Sequence, residues 1–278
     1  MKKDYITVSS EHSPLHEDTF IEEFWTQHWN KHTRVTETDS IIKREEYRLI
    51  KPFLQKFEAN SRILDGGCGM GEWTVFLSNK NFQVLGLDIS TTTIERLKKV
   101  LPHNQFVSGD IRHTEFEAAS FDAYFSWGTF EHFENGLGEC VQEAYRLLKP
   151  GGYLFVSVPY QNWRHLLHGA RWSGSKKSDD DSQLSQTMPS VRFYQWRLTR
   201  SELAKELQIQ GFNVIKVVPI HKKFGLKRAL YHDFHIKKGS KLHKKMTRIL
   251  MKIIPGNWVA HMILALAQKP KGIRSHNL

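Results

Sequence analysis

Apolar residues recur with two different spacings along the chain, and the change of spacing predicts where strands and helices lie. Between residues 61 and 160, short apolar runs rich in β-branched and aromatic residues predict five strands, at 62–65, 82–88, 105–109, 121–127 and 153–159. Stretches with helical spacing separate these strands, as at 91–101 and 138–148. Repeated alternation of strand and helix indicates an α/β fold, in which helices cover both faces of a parallel sheet.

The segments on either side of this region follow other patterns. Residues 1–60 carry apolar residues at helical spacing and predict an N-terminal helical cap. Residues 160–198 show little regular pattern, so we expect a long loop there. A capping box at 199–202 predicts a helix that continues to about residue 210. The last two strands are predicted at 212–220 and 259–267.

Composition and cysteine content limit the class of protein. Of the 278 residues, 40% are hydrophobic and 25% are charged, which is typical of a globular protein and argues against a disordered chain. The two cysteines, Cys68 and Cys140, exclude a disulfide scaffold and favour a reducing compartment. No apolar run reaches the roughly 18 residues of a membrane-spanning helix, and no apolar signal segment follows the N-terminus. We therefore expect a cytoplasmic protein.

Positive charge is concentrated in the second half of the chain. Residues 1–160 contain 17 Lys and Arg against 23 Asp and Glu, whereas residues 161–278 contain 23 against 6. Within 216–252, 12 basic residues accompany a single acid, Asp233. A local positive field attracts anions such as lipid headgroups, nucleic acid or phosphorylated substrates, and charge alone does not choose among them.

This basic segment contains a predicted amphipathic helix at 240–254. Its apolar residues recur at helical spacing and form a single stripe: Leu242, Met246, Ile249, Leu250 and Ile253. Most such stripes pack on the protein's own core and leave the charged residues facing solvent, and we favour this interpretation. The alternative is that the helix lies on an anionic membrane surface, which would place the protein peripherally at the membrane.

A glycine-rich turn follows the first strand of the alternating region. The strand ends at Asp65, and Gly67, Gly69 and Gly71 lead into the next helix. Glycines let the backbone turn tightly and approach a ligand, and a helix N-terminus offers unpaired N–H groups. The next strand ends at Asp88, where a carboxylate can accept both hydroxyls of a ribose. Because the acid Asp65 opposes a pyrophosphate, the pattern favours a nucleoside-bearing cofactor with a cationic amino-acid moiety.

Five motifs follow one another in order over residues 62–160. They are Asp65-Gly66-Gly67-Cys68-Gly69-Met70-Gly71, the acid Asp88, Gly109-Asp110-Ile111, the stretch 121–133 and Leu147-Leu148-Lys149-Pro150-Gly151-Gly152-Tyr153-Leu154. Together they resemble the class I S-adenosylmethionine-dependent methyltransferases, of the type that modifies small molecules and quinone precursors. The resemblance implies a doubly wound, Rossmann-like sheet of seven mostly parallel strands whose last strand, near 261–268, is antiparallel. The methyltransferase domain would span 61–278, with 160–198 as an acceptor-side loop and 221–257 as a basic amphipathic insertion.

The resemblance also implies which residues bind S-adenosylmethionine. Nine positions match: Asp65, Gly67, Gly69, Asp88, Ile89, Asp110, Ile111, Ser126 and Trp127. In this set the glycine turn and Asp65 hold the methionine end, Asp88 binds the ribose, and Asp110 bonds the adenine amino group. Ser126 or Trp127 lines the methionine side through backbone atoms. An Asx-type turn after a strand is the alternative role for Asp110.

Glu131 and His132 form the candidate catalytic pair. Many small-molecule members of the family carry Glu-His at this place, beside the methyl donor. A histidine there could deprotonate an acceptor hydroxyl, because its ordinary pKa lies near neutral pH. Equally, the pair could only fix the strand–helix turn through hydrogen bonds. Gly128, Thr129 and Phe133 occupy the neighbouring positions and do not complete a metal-ligand set, so no metal is predicted.

The predicted function is transfer of a methyl group from S-adenosylmethionine to an oxygen, with nitrogen as the alternative. Aromatic and cationic residues in 160–198 favour a small-molecule or lipid-linked acceptor that carries a ring or an anionic group. Two other functions stay open: an RNA methyltransferase that uses the basic C-terminal half, and a non-catalytic cofactor-binding scaffold protein. The stretch 126–131 lacks the Asn/Asp-Pro-Pro-Tyr/Phe string of base-modifying amino methyltransferases, which argues against methylation of a nucleic-acid base.

Overall fold

A computed structural model describes residues 1–8, 16–31, 38–168 and 190–271. The strands are β1 (Lys2–Val8), β2 (Arg62–Gly66), β3 (Gln83–Asp88), β4 (Gln105–Ser108), β5 (Phe121–Trp127), β6 (Leu148–Pro159), β7 (Ser190–Arg197), β8 (Asn213–Ile220) and β9 (Met262–Gln268). The α-helices are α1 (Glu17–Asn30), α2 (Glu45–Leu54), α3 (Glu72–Ser78), α4 (Thr91–Val100), α5 (Gly138–Leu147), α6 (Trp163–His168), α7 (Arg200–Ile209), α8 (Lys222–His232), α9 (Lys241–Ile253) and α10 (Gly256–Val259). Two 3₁₀ helices span Thr38–Lys43 and Phe130–His132.

Seven of these strands form one mostly parallel sheet, in the order β4-β3-β2-β5-β6-β9-β8. Strand β9 runs antiparallel to both neighbours, β6 and β8, and the other pairs are parallel. This arrangement confirms the predicted fold class: a doubly wound α/β sheet whose last strand in the chain is antiparallel. The five strands predicted over 62–159 all occur, and β6 begins five residues earlier than expected.

The central strands alternate their side chains between two apolar layers, as a period of two requires. In β5, Tyr124 packs into the layer that includes α5, whereas Phe125 packs into the opposite layer with residues of α2 and α3. Phe125 stacks on Phe155 of β6, with ring centroids 4.7 Å apart. Burial on both faces explains why these strands read as continuous apolar runs in the sequence.

The N-terminal segment differs from the all-helical prediction for 1–60. Residues 2–8 are a strand, β1, that pairs antiparallel with β7 from Lys2↔Arg197 to Val8↔Ser190. The pairing brings together residues 182 to 195 positions apart, which a local pattern cannot reveal. Helices occupy Glu17–Asn30, Thr38–Lys43 and Glu45–Leu54, and residues 55–60 form turns.

The expectation of a long loop over 160–198 is also wrong in part. Helix α6 and strand β7 occupy its two ends, and residues 169–189 lie outside the described residues. Strand β7 was missed because its pairing partner, β1, comes from the other end of the chain. The helix predicted after 199 is present as α7. Its capping box is formed: Thr199 N donates to Glu202 Oε2 at 2.8 Å and Glu202 N donates to Thr199 Oγ1 at 3.2 Å.

Close packing of α8 against α10 depends on one glycine. A Cβ at Gly225 would overlap the carbonyl oxygen of Val259, which is backbone and cannot swing away. We expect Gly225→Ala to lower the free energy of unfolding by about 2–3 kcal/mol, a typical cost of overpacking. Urea unfolding followed by circular dichroism measures the change. Gly138→Ala is the matched control, because none of the described atoms lies within 4 Å of a Cβ there. Equal losses in both variants would contradict the expectation.

Candidate functional site

A cavity of about 790 Å³ opens where the parallel strands β2, β3 and β5 end. Because all three strands run in the same direction, their carboxyl ends meet at one edge of the sheet. The wall of the cavity includes nine of the eleven residues predicted for the site: Asp65, Gly67, Gly69, Asp88, Ile89, Asp110, Ile111, Trp127 and His132. Ser126 and Glu131 are buried but are not among the lining residues.

The glycine turn wraps closely around the end of β3. Gly67 and Gly69 have φ angles of 78° and 51°, in the left-handed region that favours glycine. The backbone N–H groups of Gly67 and Cys68 donate to the carbonyl oxygen of Leu87, at 2.7 and 2.9 Å. The N–H of Gly69 donates to Asp88 Oδ2 at 2.8 Å. Hydrogen bonds from three backbone N–H groups therefore hold the turn against β3, and its other side faces the cavity.

Asp88 lies at the end of β3, almost fully buried in the cavity wall. Its two oxygens accept hydrogen bonds from the N–H groups of Gly69 and Ser90, at 2.8 and 3.0 Å. Burial raises the pKa of this carboxyl, and the two backbone donors oppose that rise. A carboxylate offers about four acceptor positions, so Asp88 can accept two further donors, as the hydroxyls of a ribose would provide.

Asp65 lies at the end of β2, one strand away from Asp88. Its Oδ2 atom accepts a hydrogen bond from Thr74 Oγ1 at 2.7 Å. Burial is the main cause that raises the pKa of this carboxyl from 3.8 to about 7, and the negative charge of Asp88 adds to the rise. A cation next to Asp65 would reverse this effect, so the site fits the predicted ammonium group of a methionine moiety.

Asp110 and Ile111 follow β4 and complete the wall near Ile89. The carboxylate of Asp110 already accepts hydrogen bonds from the N–H and the guanidinium of Arg112, at 2.6–3.1 Å. Arg112 also pairs with Asp18 of α1. The hydrogen bond from the Arg112 N–H to the Asp110 carboxylate closes an Asx-type turn, which is the alternative role for Asp110. Binding of an adenine amino group by this carboxylate stays a prediction.

Trp127 ends β5 and forms the cavity wall opposite Asp88. Its ring packs against Trp73, with centroids 5.0 Å apart. Among the described residues its buried indole Nε1 has no hydrogen-bond partner. The neighbouring Ser126 hydroxyl is likewise buried without a partner among the described residues, but Ser126 does not line the cavity.

His132 lines the cavity between two aromatic rings. Its ring centroid lies 4.8 Å from that of Trp25 and 5.1 Å from that of Tyr194. Nδ1 lies 2.7 Å from the carbonyl oxygen of Tyr194. A carbonyl only accepts, so Nδ1 carries the proton and Nε2 keeps its lone pair. Burial lowers the pKa of His132 to about 4, despite the carbonyls of Tyr194 and Gly128, so the ring is neutral at pH 7.

Glu131 lies behind His132. Its Oε1 atom is 4.0 Å from His132 Nε2, beyond hydrogen-bond distance, and its Oε2 atom is buried without a partner among the described residues. Burial raises the pKa of Glu131 to about 8, so the carboxyl is neutral at pH 7. A neutral Glu131 does not favour protonation of the His132 ring, so the lone pair of Nε2 stays available to an acceptor proton.

The sequence pattern did not predict that residues of helix α1 form part of the cavity wall. Helix α1 contributes Ile21, Trp25 and Trp29 to the wall. A Cβ at Gly69 would come within 2.6 Å of the Trp29 ring, so helix and glycine turn nearly touch. The helical spacing of aromatic residues in 20–29 indicated an amphipathic helix but not its place. Four charged residues of the wall were also missed: Lys31, Arg44, Glu46 and Glu72.

Two further searches cover the described residues only. None of their helices is long and apolar enough to cross a membrane. Within the same ranges, no group of three or more His, Cys, Asp or Glu side chains is placed to hold a metal ion.

The chain is similar to known proteins in sequence and in fold. Residues 64–156 match a family model described as a methyltransferase domain. The chain is 31% identical over 94 residues to the malonyl-[acyl-carrier protein] O-methyltransferase of Enterobacter lignolyticus (strain SCF1). It is also 31% identical over 123 residues to a demethylmenaquinone methyltransferase of Staphylococcus epidermidis. These alignments cover 34% and 41% of this chain, and they span only 37% and 51% of the relatives' own length.

A solved structure shares the fold. A protein from Pyrococcus horikoshii OT3 superposes with a TM-score of 0.52 at 18% identity, over 87% of this chain and 98% of that chain. At this identity the likeness concerns the fold alone. The matched family segment ends within β6, so the later strands and the insertion at 221–257 lie beyond it.

Proposed function

Because residues 64–156 belong to the class I S-adenosylmethionine-dependent methyltransferases, we propose that this protein transfers a methyl group to an oxygen of a small-molecule or lipid-linked acceptor. Nitrogen is the alternative acceptor atom. One observation carries the proposal: Asp65 and Asp88, from two neighbouring strands, are buried in the wall of one cavity beside the glycine turn. Two carboxylates there suit a ribose and an ammonium group and repel a phosphate.

The residues present fit S-adenosylmethionine at both ends. Asp88 would accept the ribose hydroxyls, and Asp65 with the turn at Gly67 and Gly69 would hold the methionine end. Ile89 and Ile111 provide an apolar surface for the adenine ring. When bound, S-adenosylmethionine supplies a methyl group on a sulfonium that needs no further activation. The protein's task is then to align the acceptor and to remove its proton.

His132 is the residue that would take this proton. Nε2 of His132 would receive the proton of the acceptor hydroxyl, while S-adenosylmethionine would supply the methyl group to that oxygen and leave as S-adenosylhomocysteine. The hydrogen bond from Nδ1 to the Tyr194 carbonyl fixes the tautomer that this step requires. The flanking rings of Trp25 and Tyr194 favour an acceptor with a ring or an apolar portion.

A labelling experiment tests the proposed function. The full chain is incubated with S-adenosylmethionine carrying a deuterated methyl group, and with cell extract separated into small metabolites, lipids and RNA. We expect release of S-adenosylhomocysteine and a labelled product in the metabolite or lipid fraction. Label found only in nuclease-sensitive material would support the RNA alternative instead. Release from no fraction would support the scaffold alternative.

The raised pKa of Asp65 predicts how cofactor affinity depends on pH. Without ligand, the carboxyl is protonated below about pH 7. A bound ammonium group favours the ionised form, so binding must release that proton. We expect the affinity for S-adenosylhomocysteine to weaken about tenfold for each pH unit below 7. Calorimetry in buffers of different ionisation enthalpy measures the released proton. Asp65→Asn is the control: a slope and a proton release that persist in this variant would assign them to another group.

A further inference from the structure

Helix α9 packs on the domain through only part of its apolar stripe. The residues that face the domain most completely are polar: His243 and Thr247 are 2% and 4% exposed. His243 Nε2 donates to the carbonyl of Lys227 on α8 at 3.1 Å, and Thr247 Oγ1 donates to the carbonyl of His243 at 2.7 Å. The bond from His243 to α8 fixes which side of α9 faces inward, and the bond of Thr247 stays within the helix. This orientation overturns the expectation that the whole stripe is covered.

The stripe is instead divided along its length. Met246 and Leu250 pack at the edge of a small apolar cluster with α8 and α10. The other three members face outward: Leu242, Ile249 and Ile253 are 54%, 43% and 69% exposed. Their spacing of i, i+7 and i+11 places them on one line along the helix. Large aliphatic side chains in a continuous exposed row are uncommon on a surface that only meets water.

A row of cations runs beside this apolar row. Lys241, Lys245, Arg248 and Lys252 are all exposed, and their spacing of i, i+4, i+7 and i+11 places them on one adjacent face. The outward half of α9 therefore has an aliphatic side and a cationic side. The surrounding segment 216–252 holds 12 basic residues and one acid, so its own charge is strongly positive.

From this arrangement we propose that the outward half of α9 docks on a bilayer surface that contains anionic lipid. The aliphatic row would enter the boundary between headgroups and acyl chains, while the cationic row meets lipid phosphates. Charge complementarity favours this occupant over two others. A second copy would bring two cationic rows together. RNA would pair with the cations but gains nothing from Leu and Ile, because bases stack on aromatic rings.

The docking face is connected to the cavity by the start of the insertion. Strand β8 ends at Ile220 beside Met262, at the edge of the sheet where the cavity opens. Next to it, His221 Nε2 lies 2.8 Å from Oε1 of Glu46, a residue of the cavity wall. The insertion 221–257, which would contact the bilayer through α9, thus begins next to the cavity. The proposal does not depend on which acceptor is methylated.

Co-sedimentation of the full chain with vesicles tests the proposal. Vesicles of phosphatidylcholine with phosphatidylglycerol are compared with vesicles of phosphatidylcholine alone, at low and high salt. Two variants address the two rows: Leu242→Gln with Ile253→Gln, and Lys245→Glu with Lys252→Glu. The matched control is Ile209→Gln with Lys205→Glu on α7, where Ile209 is 64% exposed and Lys205 is exposed as well. Thermal unfolding by circular dichroism confirms that every variant folds.

We expect binding to the anionic vesicles only, weakened by salt, and reduced about tenfold by each α9 variant but not by the α7 control. Absence of binding to anionic vesicles at low salt would overturn the proposal. So would equal binding of the Gln variant and the unaltered protein, since the aliphatic row would then contribute nothing. A third result would also overturn it: the protein binds RNA and not vesicles, and the Glu variant loses RNA binding while the Gln variant keeps it.

Discussion

Replacement of His132 by Ala is expected to lower the rate of methyl transfer by about 100-fold to 10,000-fold, the usual contribution of a positioned general base. The variant loses Nε2, the ring nitrogen that stays unprotonated because the hydrogen bond to the Tyr194 carbonyl keeps the proton on Nδ1. The rate is measured as release of S-adenosylhomocysteine with the extract fraction that supports activity. Affinity for S-adenosylhomocysteine should change little, because the assigned contacts to the cofactor come from other residues.

A second variant separates the base from a purely structural residue. His132→Gln keeps much of the volume between Trp25 and Tyr194 and can still donate to the Tyr194 carbonyl, but it cannot take a proton at neutral pH. If His132 is the base, Gln is as slow as Ala, and added imidazole restores part of the rate to the Ala variant. A Gln variant at nearly full rate would show that the residue only fixes the turn after β5.

The pH dependence of the rate follows from the same environment. Because burial lowers the pKa of His132 to about 4, the base is unprotonated at all pH values above about 5. No loss of rate near pH 6.5 should therefore be assigned to this residue. The same shift affects the free energy of unfolding. Between pH 4 and 6.5, His132 binds a proton in the unfolded state but not in the folded state. The buried ring thus destabilises the fold progressively as pH falls through this range.

Asp88→Ala is expected to weaken binding of S-adenosylhomocysteine by about 100-fold to 10,000-fold. The carboxylate would lose hydrogen bonds to two ribose hydroxyls, and bonds to a charged group contribute about 1.5–3 kcal/mol each. The change also leaves the N–H groups of Gly69 and Ser90 without their acceptor. Isothermal titration calorimetry with the full chain measures the affinity.

Asp122→Ala is the matched control for this experiment. Asp122 also accepts a backbone N–H, that of Arg62 at 2.8 Å, and pairs with Lys149, but it lies at the start of β5, at the opposite edge of the sheet. Its loss should change stability and leave the affinity within about twofold. An Asp88→Ala protein that binds as tightly as the unaltered chain would remove the ribose assignment.

The outline of the sheet follows from local sequence patterns. The strands from β2 to β6 are continuous apolar runs because both faces of the sheet are covered, and helices with their own spacing separate them. Once the strands are parallel, residues at their carboxyl ends must share one edge. For this reason the meeting of Asp65, Asp88 and Trp127 around one cavity could be predicted from position in the sequence alone.

Roles within the cavity are less determined by pattern. The sequence predicted Asp110 as a ligand of adenine but did not indicate that its oxygens also accept hydrogen bonds from Arg112. It predicted Ser126 or Trp127 as wall residues, and only Trp127 is one. Neighbouring residues of a strand point to opposite faces, so a shift of one position decides which of them meets a ligand.

The sequence by itself determined the fold class, the glycine turn and the edge of the sheet at which the acids gather, because periodicity and strand direction are local properties. Only the tertiary structure decided that α1 lies over the cavity, that β1 pairs with β7, and that α9 presents aliphatic residues to the outside. These outcomes depend on which surfaces fit together over long distances in the chain. Helical spacing records that a stripe exists, but not whether the fold leaves a place to bury it.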